Sequence, residues 1–395
     1  MATGYKDKQR NVFHMLYFFN FQYSPNNAAD NRLLAYYRAF DQMGVKAHVV
    51  YVHPDRHYSK IEEKYSNLQV TYLWNKFLPY RGFFGKLTYG RYVNRFISML
   101  KPGDIVYTYS VSALTRECTK IEGVKVYAER TEHPEASAGY PSPLAALTPE
   151  EHYETLHRLA GLFVISEPLR DYYSSQGVAN SKIEIINMTV DPSRFLEIHK
   201  TSCKDRYIAY CGTASNNKDG VDELIKSFAI VAQHIPDVKL YIIGKTPSKE
   251  QKFGNMELVK SLGLKDRVVF TGIVKAEDMP QLLKNAEVLA LDRPDNLQAK
   301  YGFPTKLGEY LLTENPVVVT SVGDIQKFLK DGVSALIARP GDVEDFSSKL
   351  IWALTHKDEA ARIGHRGYIV AMEKFNSFTE TQKMVKSLNV EQNGL

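Results

Sequence analysis

Short apolar segments alternate with amphipathic segments along almost the whole chain. Residues 12–19 and 47–52 are apolar runs of strand length, and residues 32–43 between them carry apolar side chains at helical spacing. A strand, a helix and a strand in this order form a βαβ unit, whose strands lie parallel in one sheet. Further strands of this half are predicted at residues 69–73, 104–108, 124–129, 161–166 and 182–186.

The alternation restarts after a polar connection at residues 199–206. Strands are predicted there at residues 207–210, 239–243, 267–271, 288–291, 316–320 and 335–338, with a polar loop at 212–220 and a helix at 221–233. We therefore predict an α/β fold of two Rossmann-like, doubly wound parallel-sheet domains, residues 1–198 and 199–372. A chain of 395 residues is long enough for each domain to bury its own core.

The composition is that of an ordinary globular protein. A net charge of +5 favours anionic partners but does not choose among nucleotides, lipid headgroups and nucleic acid. Three cysteines, Cys118, Cys203 and Cys211, have no metal-ligand spacing and favour a reduced compartment. No stretch approaches the ~18–20 apolar residues of a membrane-spanning helix, and no cleavage site follows the first apolar run. We expect a cytoplasmic protein.

One turn in the second half, at residues 301–309, combines the features of a phosphate site. Gly302 leaves room for a close backbone approach, and Thr305 is a predicted N-cap. Free backbone N–H groups, the positive end of the helix dipole and the Lys306 ammonium together suit a phosphate or diphosphate. Glu309 lies one turn further on the same face, where a carboxylate accepts hydrogen bonds from sugar hydroxyls. The competing interpretation is a capped surface helix with solvated side chains.

Other loops are expected on the same edge of the second sheet. Ligands of parallel sheets bind beyond the carboxyl ends of the strands, and the loops that start at Gly212, Gly244 and Gly272 all follow predicted strands. Lys218 adds a positive charge to the first loop, although alone it fits an exposed loop lysine equally well. If the carboxyl edges of the two domains face each other, the cleft between them is the active site.

The loops of the second half carry motifs in a fixed order. Gly212…Lys218-Asp-Gly220 is followed by Ile242-Ile-Gly244, by Val269-Phe-Thr-Gly272 and by Phe303-Pro-Thr-Lys-Leu-Gly-Glu309-Tyr-Leu. This order, over residues 205–372, resembles the nucleotide-binding half of the GT4 family of retaining glycosyltransferases, and the last motif is the most specific. The first half resembles the family more loosely.

The resemblance implies a GT-B fold, in which two Rossmann-like domains face a central cleft. The final helix, residues 373–395, would cross back to the first domain. It also implies metal-independent transfer of a sugar from an NDP-sugar to a hydroxyl acceptor, with retention of the anomeric configuration. No cofactor and no metal site are expected, because Asp292-Arg-Pro-Asp295 lacks the spacing of an Asp-x-Asp metal motif.

The resemblance also assigns roles to individual residues of the second half. Lys218 matches the basic residue that holds the diphosphate, Glu309 matches the glutamate that holds the ribose hydroxyls, and backbone near Ile273 would face the base. The donor site predicted in this way comprises Gly212, Thr213, Lys218, Gly244, Ile273, Tyr301, Gly302, Phe303, Thr305, Lys306, Leu307 and Glu309.

Two positions depart from the family pattern. Tyr301 stands eight residues before Glu309, where many members carry a glutamate, and Thr213 stands where an arginine often follows the first loop glycine. We infer that Lys306 takes the place of that arginine. Together with Lys218 it would stabilise the charge that develops on the leaving diphosphate. The acceptor proton can pass to the departing phosphate oxygen, so no enzymic base is required.

The first domain is expected to supply the acceptor pocket and part of the sugar pocket. Ionisable residues are dense just after the strand at 124–129, and a histidine at about this place touches the donor sugar in the GT4 family. His133 is therefore the candidate, with Glu129 and Glu132 as competitors; the alternative is a solvated loop with an internal Glu–Arg pair. The loop at residues 25–32 is a further candidate acceptor loop.

The catalytic and acceptor sets follow from these assignments. The predicted catalytic residues are Lys218, Lys306, Glu309 and His133. The predicted acceptor-binding residues are Asn31, Arg32, Glu129, Arg130 and Glu132.

Residues 75–101 carry six basic side chains and no acidic one, interleaved with aromatic residues. Such a segment suits an anionic bilayer and would bring a lipid-linked acceptor to the cleft, as a peripheral contact at the inner face of the membrane. A helix packed on the sheet with its basic face in water is the competing interpretation. A nucleic-acid platform is disfavoured because no nucleic-acid motif accompanies the segment.

The predicted function is hexosyl transfer from a UDP- or GDP-sugar to a lipid-linked or polysaccharide glycan, in polysaccharide biosynthesis. Two alternatives stay open. A nucleotide-sugar 2-epimerase shares the two-domain architecture but needs acid and base side chains against the sugar. A non-catalytic sugar-nucleotide-binding subunit is kept open by Tyr301 in place of the glutamate.

Overall fold

The computed structural model describes residues 12–17, 28–51, 65–73, 82–136, 147–246 and 248–390. Within these ranges the chain forms two parallel sheets, one in each half. Helices cover the sheets, and each sheet is the centre of a buried apolar core.

The first sheet has the strand order β3-β2-β1-β4-β5-β6-β7 within the described residues, and every neighbouring pair is parallel. Its strands are β1 (Phe13–Tyr17), β2 (Ala47–Tyr51), β3 (Leu68–Tyr72), β4 (Ile105–Thr108), β5 (Lys125–Arg130), β6 (Gly161–Val164) and β7 (Ile183–Ile185). Its helices are α1 (Ala28–Met43), α2 (Gly82–Ile97), α3 (Ala113–Cys118), α4 (Pro149–Arg158) and α5 (Glu167–Ser175). The central strands are buried along their whole length because helices cover both faces.

The second sheet repeats this order as β10-β9-β8-β11-β12-β13, again with parallel neighbours. Its strands are β8 (Arg206–Cys211), β9 (Val238–Ile243), β10 (Val268–Gly272), β11 (Val288–Leu291), β12 (Val317–Thr320) and β13 (Leu336–Ala338). Its helices are α6 (Asn216–Asp219), α7 (Val221–His234), α8 (Lys249–Ser261), α9 (Met279–Asn285), α10 (Leu297–Tyr301), α11 (Thr305–Leu312), α12 (Ile325–Phe328), α13 (Val343–Thr355) and α14 (Lys357–Lys374).

The prediction of two doubly wound parallel-sheet domains is confirmed. The strand bounds differ from the predicted ones by one or two residues at most of the ends that the structure describes. The polar segment at residues 25–32 is different: α1 already begins at Ala28, so Asn31 and Arg32 lie within a helix, and residues 25–27 lie outside the described residues. Asn and Asp side chains accept hydrogen bonds from backbone N–H groups both in loops and at helix starts. The polar residues of this segment therefore did not distinguish a loop from the first turn of a helix.

The last helix, α15 (Ser377–Leu388), lies against the first domain. The helical structure is interrupted at Phe375 and Asn376, between α14 and α15. The Phe375 carbonyl accepts from the Val190 N–H at 2.8 Å, and the Ser377 N–H donates to the Val190 carbonyl at 3.0 Å. Met384 is fully buried in the apolar core of the first sheet. The end of the chain therefore joins the two domains a second time, besides the connection at residues 199–206.

Helix α2 contains the part of the basic and aromatic segment that can be described. Arg91 and Arg95 are exposed, whereas Tyr92 and Phe96 are buried against the first sheet. These four side chains fit a helix packed on the sheet with its basic face in water. Residues 75–81 lie outside the described residues, so membrane contact stays a prediction. Among the helices that the structure describes, none has the length and apolar content needed to cross a bilayer.

Candidate functional site

The start of α11 lies beside the loop that follows β8, at the carboxyl edge of the second sheet. The N-cap position is Pro304, and no side chain caps the helix, so the predicted cap Thr305 is instead the first helical residue. Its first N–H groups are therefore left without a side-chain acceptor among the described residues. Gly302 has an ordinary φ of −92°, and glycine is needed because a Cβ would lie 2.8 Å from the Gln298 carbonyl oxygen.

The Lys306 ammonium reaches across to the loop after β8. It forms an ion pair with Asp219 and lies 3.1 Å from the Tyr210 hydroxyl, which itself lies 2.7 Å from Oδ2 of Asp219. A Cβ on Gly212, whose φ is +144°, would come within 2.5 Å of the Lys306 Nζ. The positive φ favours glycine at this position, and the ammonium lies directly over this first glycine of the loop.

Burial and opposite charge act against each other in this pair. Burial lowers the pKa of Lys306, and Asp219 opposes that effect. Burial would raise the pKa of Asp219, but Lys306 and Arg293 hold it below its ordinary value. The carboxylate is therefore ionised at neutral pH, and it is shared by two cations.

Arg293 is a buried cation that the sequence analysis did not identify. It follows β11 and is 2% exposed; its Nε donates to the Lys218 carbonyl at 3.3 Å and lies 3.7 Å from Oδ1 of Asp219. Its Nη1 is buried without a hydrogen-bond partner among the described residues. Lys306 and Arg293 together outweigh Asp219, so the charge of this cluster is positive and favours an anion.

Lys218 lies at the same edge and contacts the first domain. Its backbone N–H donates to Ser215 Oγ at 3.2 Å, which fixes the short helix α6, and its Nζ lies 3.5 Å from Oε1 of Glu132. Gln298 donates to the same carboxylate oxygen at 3.0 Å. Because the Lys218 side chain is 44% exposed, this ion pair contributes little stability and leaves the ammonium accessible.

Glu309 is also paired across the domain boundary. Its carboxylate accepts from Nη1 of Arg194, which belongs to the 3-10 turn Pro192–Arg194 at the exit of the first domain. The two side chains are 19% and 23% exposed. A ribose hydroxyl that binds Glu309 must therefore compete with Arg194.

The comparisons with known proteins agree with this arrangement. Residues 205–356 match the sequence profile of a family described as glycosyl transferases group 1. The matched residues lie within the second domain. The chain also has the fold of the Anabaena protein HepE, whose crystal structure in complex with UDP has a TM-score of 0.74 at 17% identity and covers 96% of this chain and 99% of that chain. The prediction of a GT-B glycosyltransferase fold is confirmed, while the GT4 assignment stays a prediction.

Two curated relatives are similar in sequence to a little more than half of this chain. Mannosylfructose-phosphate synthase of Agrobacterium fabrum is 26% identical over 238 residues, which are 55% of this chain and 50% of that protein. A GDP-mannose-dependent phosphatidylinositol monomannoside mannosyltransferase of Mycolicibacterium smegmatis is 23% identical over 236 residues, 57% of this chain and 61% of that protein. The matched part thus spans between half and two thirds of these relatives.

His133 lies where the first domain meets the second. Its ring is 4.3 Å from the ring of Tyr172 and 4.5 Å from that of Tyr301, and only 5% of the residue is exposed. Burial lowers its pKa, so the imidazole is neutral at pH 7. The Tyr301 carbonyl accepts from Ser166 Oγ at 2.5 Å. The residue in place of the family glutamate is therefore built into the contact between the domains.

The predicted acceptor residues separate into buried and accessible ones. Arg32 donates from Nε to Glu129 at 2.7 Å and from its two terminal nitrogens to the carbonyls of Asn187 and Ile186 at 2.7 and 2.8 Å. Glu129 is fully buried. These two side chains hold β5, α1 and β7 together and have no free surface for an acceptor, so the prediction that they bind one is wrong.

The other predicted acceptor residues are less buried. Asn31 is half-buried in α1, Glu132 contacts Lys218 as described, and Arg130 donates from Nε to the Tyr173 hydroxyl at 3.1 Å. Glu132 contacts the second domain, through Lys218 and Gln298.

Several predicted donor residues contribute backbone or packing. Phe303 packs with Phe328 and Phe375, and Leu307 is fully buried, so their side chains belong to the core. Thr213 is exposed, and its carbonyl lies 2.7 Å from the Tyr210 hydroxyl. Ile273 is 73% exposed, and Gly244 donates its N–H to the Gly272 carbonyl at 3.0 Å. Thr213, Gly244 and Ile273 lie at the carboxyl ends of β8, β9 and β10.

The sequence analysis missed Tyr210, Asp219, Arg293 and Arg194, each of which contacts a predicted residue. Asp219 was visible within the Lys-Asp-Gly motif, but its partner lies 87 residues away. The described residues contain no group of three or more histidine, cysteine or acidic side chains able to hold a metal ion.

Proposed function

We propose that this protein is a retaining glycosyltransferase that moves a hexosyl group from a nucleoside diphosphate sugar to a hydroxyl acceptor. The observation that carries the proposal is the ion pair of Lys306, in α11, with Asp219, which follows Lys218 in α6, within the region that matches the glycosyl transferases group 1 profile. Two cations from separate elements and an uncapped helix start at one sheet edge suit a diphosphate.

In the proposed reaction the bond between the anomeric carbon and the diphosphate oxygen breaks. Negative charge develops on that oxygen, and Lys218, Lys306 and the first N–H groups of α11 stabilise it without a divalent ion. The acceptor oxygen forms its bond on the same face of the sugar, and its proton passes to the departing phosphate oxygen. No side chain is then needed as a base.

The remaining contacts of the donor follow from this placement. Glu309 accepts from the ribose hydroxyls once Arg194 has been displaced, and exposed backbone near Ile273 contacts the base. The neutral imidazole of His133 contacts the sugar hydroxyls from the first domain. HepE was crystallised with UDP-glucose and one relative is GDP-mannose-dependent, which supports a UDP- or GDP-sugar as the donor.

The acceptor side is proposed to lie in the first domain beside Glu132. A glycan or lipid-linked hydroxyl is the acceptor class, as in the phosphatidylinositol-linked substrate named for one relative. The exposed arginines of α2, Arg91 and Arg95, are available for anionic headgroups at the inner membrane face.

The proposal is tested by incubating the purified chain with UDP-, GDP- and dTDP-sugars and following release of nucleoside diphosphate and free sugar. We expect slow hydrolysis of one donor class, unchanged by EDTA, and its loss in Lys306→Ala. Lys265→Ala, at an exposed lysine of the same domain, serves as the charge-matched control and should retain the activity.

The other outcomes identify different functions. Interconversion of two sugar nucleotides without release of the diphosphate would indicate a 2-epimerase. Tight binding without any turnover would indicate a non-catalytic sugar-nucleotide-binding subunit. Either result contradicts the proposed transfer.

A further inference from the structure

A cavity of about 380 Å³ lies at the amino ends of strands in the second sheet. The loops after β8, β9 and β10, here called the donor loops, lie at the opposite edge of that sheet. Its walls include Glu287 and Pro316, which immediately precede β11 and β12 at the amino ends of these strands. Three lysines from three separate parts of the chain line it: Lys200, Lys284 and Lys357. A cavity with three ammonium groups requires an account of what balances their charge.

Lys200 is held at the cavity by fixed backbone on both sides. The preceding carbonyl, that of His199, accepts from Gln281 Nε2 at 2.9 Å, and the following N–H, that of Thr201, donates to Asn285 Oδ1 at 2.9 Å. Both partners lie on α9. The connection between the domains therefore presents Lys200 at a defined place, although its side chain is exposed.

The other two lysines come from helix ends. Lys284, near the end of α9, donates to the Thr313 carbonyl at 2.8 Å. Lys357 is the first residue of α14, an 18-residue helix whose N-terminus carries the positive end of its dipole. Helix geometry thus adds to the positive charge that the ammonium groups bring.

The carboxylates of the cavity are already paired. Glu287 accepts from Nε and Nη2 of Arg206 at 2.7 and 2.9 Å, and Glu314 lies 3.1 Å from Nδ1 of His365. A bidentate Arg–carboxylate pair is the strongest of the common ion pairs. Arg206 also pairs with Asp237 at 2.5 Å. With Arg206 the three lysines make four cations against three carboxylates, those of Glu287, Glu314 and Asp237, so one positive charge remains in excess.

The pKa of Lys200 supports this count. Although solvent reaches the side chain, the protein around it partly desolvates the ammonium and lowers its pKa. Glu287 opposes that effect, and the ammonium groups of Lys284 and Lys357 lower the pKa further. The three ammonium groups repel one another, and the attraction of an anion bound between them would offset that repulsion.

We propose that the cavity binds a phosphate-class oxyanion through Lys200, Lys284 and Lys357. Three ammonium groups from different directions fit a group with several charged oxygens, and the volume is sufficient for one or two phosphate groups. This inference does not depend on the proposed transfer reaction. The site is separate from the donor loops, because the two lie at opposite edges of the same parallel sheet.

Binding at the cavity is adjacent to the end of α11. Besides the Lys284 contact with Thr313, Asn315 Nδ2 donates to the carbonyls of Leu283 and Lys284 at 3.0 and 2.9 Å. The anion would therefore stabilise the segment that follows the helix carrying Lys306. Because it binds the folded chain, it would also raise the melting temperature.

The test is a calorimetric titration of the full chain with inorganic phosphate and, separately, with pyrophosphate, in low-salt chloride buffer. Lys200→Gln/Lys357→Gln removes two ammonium groups at exposed positions and leaves the Lys284 contact intact. Lys252→Gln/Lys265→Gln, at exposed lysines elsewhere in the second domain, makes the same change in net charge. Lys218→Gln weakens the donor loops alone, so binding there is distinguished from binding at the cavity.

We expect the cavity variant to bind inorganic phosphate at least tenfold more weakly, and to lose the rise in melting temperature that phosphate causes in the wild-type chain. The charge-matched control and Lys218→Gln should retain both, although Lys218→Gln should weaken any separate binding of pyrophosphate at the donor loops. The proposal is wrong if the wild-type chain does not bind phosphate, if the cavity variant binds phosphate as tightly as the control, or if Lys218→Gln alone abolishes phosphate binding.

Discussion

Each domain contains a buried cation–carboxylate pair, and the two pairs differ in what surrounds them. In the first domain, the Arg32 guanidinium donates to Glu129 and to two backbone carbonyls, and the pair is shielded from solvent. In the second domain, the Lys306 ammonium has three N–H groups and two hydrogen-bond partners among the described residues, Asp219 and Tyr210. Its side chain is 16% exposed. We call Arg32–Glu129 the closed pair and Lys306–Asp219 the open pair. The closed pair stabilises the fold, whereas a cation of the open pair can bind a ligand in place of its present partner.

The pKa values follow the same difference. Burial acts to lower the pKa of Arg32, but Glu129 and its neighbours raise it overall, so the guanidinium stays charged. Burial lowers the pKa of Lys306 in spite of Asp219. An added anion would therefore strengthen the charge state of Lys306, while Arg32 has nothing to gain from one.

The largest expected effect comes from breaking the closed pair. Arg32→Met leaves the Glu129 charge buried without its cation, which costs about 3–5 kcal/mol of stability. Hydrogen exchange in β1 and β4 should report this loss, since it separates the first domain from the second. Arg38→Met, on the same helix at a partly exposed ion pair with Asp191, should cost less than about 1 kcal/mol. Equal losses for the two variants would contradict the comparison.

The open pair should affect binding and turnover. Lys306→Met is expected to lower donor turnover by roughly 100- to 1,000-fold, the cost of one lost group that stabilises developing negative charge. Because Arg293 still balances Asp219 in this variant, its melting temperature should stay close to that of the wild-type chain, while diphosphate release falls. A fall in melting temperature as large as that of Arg32→Met would show that the lysine acts through the fold.

Low pH should weaken the first domain specifically. His14 and His48 lie 3.0 Å apart between their Nδ1 atoms, with Asp104 and Thr71 as outer partners and Phe96 against the His14 ring. Burial lowers both pKa values, that of His48 to about 4. Between an unfolded pKa of about 6.5 and these values the unfolded chain binds more protons, so stability falls as the pH falls, by up to ~1.4 kcal/mol per pH unit for each histidine.

Hydrogen exchange at pH 7 and pH 5 measures this loss. Exchange in β1 and β2 should accelerate at pH 5 by more than the change in intrinsic rate, and His48→Gln should reduce the difference. An unchanged pH response in that variant would remove the histidine pair from the account.

The second domain should respond to pH in the opposite direction. Burial, followed by the nearby Glu223 and Asp222, raises the pKa of Asp292 to about 8. The folded chain keeps this proton up to about pH 8 while the unfolded chain loses it near its ordinary value of about 4, so stability falls as the pH rises between those values. Asp292→Asn should therefore raise the melting temperature of the second domain at pH 8 but not at pH 4. A uniform shift at both values would contradict the assignment.

The smallest expected effect concerns the second cross-domain pair. Arg194→Ala frees Glu309 from a partly exposed ion pair worth up to about 1 kcal/mol, so the affinity for a nucleoside diphosphate should rise by a few-fold in calorimetry. Arg194→Lys keeps the charge and should resemble the wild-type chain. Weaker binding in the alanine variant would mean that Arg194 itself contacts the ligand.

The parallel sheets could be predicted because their information is local. Apolar runs such as β8 and β11 and the amphipathic α7 carry their period in the sequence. The position of Lys306 could also be predicted, since the Pro-Thr-Lys motif starts a helix. What these residues touch could not be predicted, because Asp219, Arg194 and Glu132 are brought to Lys306, Glu309 and Lys218 only by tertiary packing.

Glu129 shows the same limit in the other direction. Its place after a strand made it a candidate for the acceptor, but the network of Arg32, Tyr36 and Tyr107 around it is built from α1 and β4. Spacing reveals that an ionisable residue stands at a strand end, and not whether its neighbours have already satisfied it.

The central claim is that the open cations of the second domain hold a diphosphate. It is tested most directly by calorimetric titration of wild-type and Lys218→Ala chains with UDP or GDP and with the matching nucleoside. Loss of one charge-assisted contact, worth about 1.5–3 kcal/mol, should weaken binding of the diphosphate by roughly 10- to 100-fold and leave binding of the nucleoside unchanged. Equal affinity of both proteins for the diphosphate would contradict the account.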